Sequence, residues 1–163
     1  MQRALAYTSF KVWLIDELDD PRRLPALARR EVRAWVRDQP VLDDLQLIAS
    51  ELVANAVEHG GGRWVRLSLL PVQEGGGDYW RLAVIDPGGG GAVPLPRRPA
   101  PEDTRGRGLW LVHGLTGGCW GTDVTRVGER VVWALIPRAE RSGRPRTDAR
   151  FPHDDGGNDS CHR

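Results

Sequence analysis

Lysine is almost missing from this 163-residue chain: Lys11 is the only one, and the remaining basic residues are all arginine. A phosphate-binding surface beyond position 11 must therefore be made of arginine, backbone N–H groups or a metal ion. Cysteine is scarce as well, with only Cys119 and Cys161. Two thiols so placed form no disulfide framework, and no C-x-x-C or paired Cys/His spacing offers a zinc site. Cys161, His162 and His153 make at most a loose ligand set without fixed geometry. No apolar run approaches the roughly 20 residues a membrane helix needs, and the first twenty residues lack the apolar core of a signal peptide. Charge of one sign is missing too. A formal net charge of +1 argues against a duplex-DNA clamp or an acidic tail binder. The expectation is a cytoplasmic protein that contacts neither nucleic acid directly nor membrane.

Common catalytic signatures are also absent. There is no G-x-x-x-x-G-K-[ST], no G-x-G-x-x-G, no H-E-x-x-H and no G-x-S-x-G. What the chain does have is periodicity. Phe10, Val12 and Leu14 alternate as in an edge strand. Pro21 opens a helix expected to run through Asp38, with Leu24, Leu27, Ala28, Val32, Trp35 and Val36 at three- and four-residue steps. Arg22, Arg23, Arg29, Arg30, Arg33 and Arg37 fill its other faces, as a solvated surface or a partner surface. A second helix is expected over about 41–59, where Leu42, Leu45, Ala49, Leu52 and Ala56 form an apolar stripe. Gly60-Gly61-Gly62 ends it.

Alternation then predicts strands over Trp64 to Leu70 and Tyr79 to Asp86, with a hairpin loop from Pro71 to Asp78. Residues 87–105 read as a lid-like loop, stiffened by Pro94, Pro96, Pro99 and Pro101. A short helix follows from about Gly108, with Leu109, Leu111, Val112 and Leu115 apolar. Strands near 118–125 and 130–136 close the domain. The seven tryptophans (13, 35, 64, 80, 110, 120 and 133) are expected in packing, with Trp110 the most exposed. The order predicts an α+β fold, a two-layer α/β sandwich with a mixed, mostly antiparallel sheet and helices on one face. Residues 1–137 would form one domain and 138–163 a disordered tail.

Three polar insertions interrupt the apolar elements. Glu51 and Asn55, four apart, share one helix face. They suit a proton acceptor and a hard-cation ligand through a carboxamide oxygen, or simply an ordinary polar face. Asp86 shares parity with Trp80, Leu82 and Val84, so its carboxylate points toward the inner face and needs donors. An adenine amino group is one such donor, and Gly88 and Gly90 would let backbone approach a flat ring. The same Asp-Pro-Gly is also common turn chemistry. Last, Gly106 and Gly108 lead into a helix whose N–H groups, from Leu109 on, could hold phosphate with Arg105 and Arg107. A plain glycine-rich helix entry reads the same way.

In this order the stretches ELVANAVEHG, VIDPGGG and GRGLWLV resemble the GHKL group of ATP-binding proteins, most nearly the bacterial anti-sigma-factor serine/threonine kinases. The resemblance spans roughly residues 10–137. It implies the Bergerat fold, with ATP and Mg²⁺ between helices and lid. It implies Glu51 as general base, Asn55 as Mg²⁺ ligand, Asp86 on the adenine amino group, Gly88 and Gly90 shaping the base pocket, and Gly106 and Gly108 with the following backbone on phosphates. A sigma factor or an anti-sigma-factor antagonist would be the partner, and a homodimer is among the arrangements implied. The alternative function is a catalytically silent, nucleotide-gated module that grips its partner without transfer.

Overall fold

The computed structural model describes residues 9–37, 39–89 and 107–138. Within them, five strands form one sheet in the order β1-β2-β3-β5-β4: β1 (Ser9–Leu14), β2 (Trp64–Glu74), β3 (Gly77–Asp86), β4 (Trp120–Val124) and β5 (Arg130–Pro137). Every neighbouring pair is antiparallel, so the mixed sheet expected from the sequence is corrected to a wholly antiparallel one. The reason is the order. After β3 the chain crosses through a helix to the edge, and β5 turns back between β4 and β3.

Three helices cover one face: α1 (Leu24–Trp35), α2 (Leu42–His59) and α3 (Gly108–Thr116). The helix expected from Pro21 begins instead as a 3-10 turn over Pro21–Arg23, capped by Asp20, whose carboxylate accepts from the Arg22 N–H at 3.0 Å. The α-helix proper ends at Trp35, and Val36 leaves helical geometry at φ −127°. In α1, Leu24, Ala28 and Val32 are fully buried at four-residue steps. The central helix α2 buries Leu45, Ala49, Leu52 and Ala56 from the expected stripe, and Ile48 and Val53 besides. It packs against α1, α3 and the sheet.

Val65, Leu67 and Leu69 of β2 and Leu82 and Val84 of β3 face these helices. The β2–β3 loop is much shorter than expected. Pairing continues to Glu74 opposite Gly77, and only Gly75 and Gly76, at φ +56° and +80°, make the turn. Such angles favour a two-residue hairpin of glycine. Pro71 stands within this ladder, opposite Trp80. In β1 the alternating set Phe10, Val12 and Leu14 lies on the open face, 64%, 43% and 46% exposed, while Trp13 of the other parity enters the core. Leu111 of α3 is likewise exposed rather than packed.

The tryptophans divide. Trp13 and Trp120 are buried, whereas Trp35, Trp64, Trp80, Trp110 and Trp133 are half-buried. Arg66 lies over Trp64, Arg81 over Trp133 and Arg138 over Trp80, at 5.7, 5.6 and 4.9 Å from the ring centres. Arginine stems thus cover part of the sheet surface that the helices leave open. Residues 90–105 of the expected lid and 139–163 of the expected tail lie outside the described residues.

Candidate functional site

Helix α2 carries the first pair of candidates. Glu51 and Asn55 stand one turn apart and are both half-buried, because they flank the apolar stripe rather than oppose it. His59, another turn on, is exposed beside Glu58. Gly108, the first residue of α3, lies directly against Glu51. A Cβ at that position would overlap Glu51 Oε2. The glycine therefore admits the carboxylate to the first turn of α3, where the positive end of the helix dipole favours negative charge.

Loss of water pushes the Glu51 carboxyl above the usual carboxylate range. Arg29 of α1 opposes that rise and Glu58 adds to it. Arg29 belongs to the set read from sequence as a solvated or partner-facing helix surface. It is exposed, yet it acts on Glu51 across the α1–α2 interface. Sequence spacing carries no signal for that influence.

Asn55 is buried at its amide. Its Nδ2 has no hydrogen-bond partner, so the carboxamide keeps polar capacity that the protein does not use, which is costly unless a ligand takes it up. Among the described residues no group of three or more His, Cys, Asp or Glu could hold a metal ion. A cation at Asn55 would thus need oxygens from a ligand, as Mg²⁺ typically takes them from phosphates. The carboxamide oxygen could join such a set, while the unpartnered Nδ2 is a donor and suits a phosphate oxygen.

The second group gathers at the end of β3. Asp86, its last residue, is 2% exposed. Sequence reasoning looked to a ligand for its donors. The protein itself supplies three: Gly88 N–H donates to Oδ1 at 2.9 Å, and Arg130 Nε and Nη2 donate to Oδ2 at 3.1 and 2.8 Å. Arg130 was not among the candidates. It begins β5 and pairs in register with Asp86, a juxtaposition that only the strand order reveals.

Gly60 ties α2 to this corner. It caps the helix by donating to the Ala56 carbonyl at 2.9 Å, and a Cβ on it would come within 3.0 Å of Asp86 Cγ. One helix thus carries Glu51 and Asn55 and ends on Asp86. Gly88 adopts φ +72°, and a Cβ there would stand 2.5 Å from the Gly128 carbonyl, so glycine is required twice over.

Of the other expected site residues, Arg107 is exposed at the N-cap of α3 and Leu109 is buried behind it. Gly90, Arg105 and Gly106 lie outside the described residues, as do His153, Cys161 and His162. No helix among the described residues is long and apolar enough to cross a membrane.

Three helices on a five-strand antiparallel sheet, with polar groups gathered between α2, the start of α3 and the end of β3, define a Bergerat-type ATP-binding domain. The match to known families agrees. Residues 18–134 match the model of the histidine kinase-like ATPase domain, and the chain belongs to that family, within the GHKL superfamily. No curated protein matches the chain significantly.

Proposed function

We propose that this domain is an ATP-dependent protein serine/threonine kinase whose substrate is an anti-sigma-factor antagonist, and that a sigma factor is its alternative partner. The observation that carries the enzymatic part is Glu51: a half-buried carboxylate of raised proton affinity, set against the first turn of α3 and one turn from Asn55, whose buried Nδ2 has no partner. The choice of partner rests on the motif resemblance.

In this reading Glu51 accepts the proton of a serine or threonine hydroxyl. The hydroxyl oxygen bonds to the terminal phosphorus while the bond from that phosphorus to ADP breaks. General-base assistance of this kind contributes roughly 10²–10⁴-fold. Burial helps, since a carboxyl of raised proton affinity is the better acceptor. Asn55 would hold Mg²⁺, and the backbone from Gly106 through Leu109, with Arg105 and Arg107, would hold phosphates. Asp86 would accept from the adenine amino group, with Gly88 and Gly90 beneath the ring. Bound Mg²⁺–ATP supplies the transferable phosphoryl group and neutralises its charge.

The test is transfer of radiolabel from γ-labelled ATP, with Mg²⁺, to candidate antagonist proteins. Stoichiometric label with the wild-type chain, lost in Glu51→Ala while ATP still binds, supports the kinase. Normal transfer by Glu51→Ala removes Glu51 from the role of base. ATP-dependent partner binding without label identifies a nucleotide-gated module instead.

A further inference from the structure

Arg130 is the only buried basic residue among those described, at 9% exposure. Both of its contacts to Asp86 end on one oxygen, Oδ2, while Oδ1 takes the Gly88 N–H. A carboxylate offers about four acceptor positions, so the pattern fills three and leaves one, on Oδ1.

The backbone fixes this arrangement from both sides. Arg130 is held opposite Asp86 by the β3–β5 register. The turn before it is closed by Thr125 N–H to Glu129 O at 2.8 Å, Gly128 N–H to Thr125 O at 2.9 Å and Glu129 N–H to Thr125 Oγ1 at 3.1 Å. Gly88, which donates to Asp86, lies against the Gly128 carbonyl of that same turn. The two segments that meet at Asp86 are therefore mated through backbone.

Guanidinium has no acceptor and does not lose its proton in proteins. The Asp86 carboxylate meets only donors here, the Arg130 guanidinium and the Gly88 N–H, and so offers the site an acceptor. A pure acceptor welcomes a ring amino group and repels a ring carbonyl.

We propose that Arg130 is the positioning residue for base selection: it fixes the Asp86 carboxylate through Oδ2 and leaves an acceptor position on Oδ1, so that the site takes a 6-amino purine and rejects a 6-oxo purine. This rests on the reading of Asp86 as the residue that meets the base. Arg130 acts through Asp86 and needs no contact with the nucleotide.

The experiment measures the dissociation constants of ATP and of inosine triphosphate, each with Mg²⁺, for the wild-type chain, Arg130→Lys, Arg130→Met and the double variant Asp86→Asn/Arg130→Met. The wild type should prefer ATP by on the order of 10–100-fold, the range that one hydrogen bond to a charged group supports. Arg130→Met should bring that ratio close to one, chiefly by weakening ATP. Arg130→Lys, which keeps the charge but not the fork, should restore part of it. The double variant leaves no unpaired buried charge, so it serves if Arg130→Met does not fold. It should bind both nucleotides alike.

A wild-type ATP preference that survives unchanged in folded Arg130→Met, or in the double variant, overturns the inference and leaves the nucleotide site standing. Tighter ATP binding in Arg130→Met also overturns it, since Arg130 would then be a competitor for Asp86. A wild-type chain that binds neither nucleotide, or both equally, overturns the reading of Asp86 and this inference with it.

Discussion

Glu51 is costly to the fold in its ionised form, and the sign of that cost can be followed through pH. Burial makes the folded chain hold the Glu51 proton more tightly than the unfolded chain does. Stability therefore falls as pH climbs from the ordinary glutamate value, 4.5, through the higher folded value. Glu51→Gln removes the titration and keeps the shape. It should melt above the wild type at pH 7–8, with the gap closing as the pH is lowered to about 4. Thermal melts monitored by circular dichroism across that range check it, and equal melting temperatures at every pH would mean that the carboxylate is not strained by burial. The same shift should carry into kinetics, where the acid limb of phosphoryl transfer rises at a pH above that of an ordinary glutamate. At this scale much was legible. The i, i+4 spacing of Glu51 and Asn55 and the parity of Asp86 follow from chain geometry alone. Arg130 was not legible, since it is 44 positions from Asp86 and only strand pairing brings them together. Arg29 was hidden for a similar reason, because its effect crosses between two helices.

Elements were legible where one period ran unbroken, as in α2, whose stripe gave its start, its buried side and its glycine stop. They were misread where tertiary pairing outweighed local signals. Pro71 and three consecutive glycines suggested a long loop, but β2 and β3 zip up to Gly75, since an uninterrupted ladder satisfies more backbone groups than a loop would. Phe10, Val12 and Leu14 form a regular alternation, yet the core takes the face of Trp13. Periodicity gives two faces without saying which is covered. The meeting of α2 and α3 also escaped the sequence, and it makes a sharp prediction. Gly108 lets the start of α3 lie on Glu51, so Gly108→Ala must push the carboxylate aside or shift the helix. A misplacement of about 1 Å can cost roughly 10²-fold in rate. Gly108→Ala should therefore lose transfer on that order, and ATP affinity should fall with it to the extent that the start of α3 shifts. Parallel measurements of turnover and of nucleotide binding separate the two, and an alanine variant with wild-type turnover would show that the close approach has no bearing on the chemistry.

Across the whole molecule, the candidate site belongs to no single element. Its parts come from the middle and end of α2, the end of β3, the start of α3 and the start of β5. Because α2 packs against both β3 and α3, anything that bridges Asn55 and the start of α3 must also strengthen the packing of the helix layer. A ligand that binds only the folded chain stabilises it by about 2.7 kcal/mol when present at 100 times its dissociation constant. Mg²⁺ and nucleotide should act together here. The described residues hold no acidic cluster for a free cation, so Mg²⁺ alone should leave the melting temperature unchanged. ATP with a chelator should raise it modestly, and Mg²⁺ with ATP should raise it most. If Asn55 is the protein's contribution to the cation, Asn55→Ala should keep the increment due to ATP and lose the further increment due to Mg²⁺. The variant also removes an unpartnered buried amide, so without ligand it should be at least as stable as the wild type, which separates loss of cation binding from damage to the fold. Thermal melts of both chains under the four conditions decide the matter. A full Mg²⁺ increment in Asn55→Ala would move the cation away from α2.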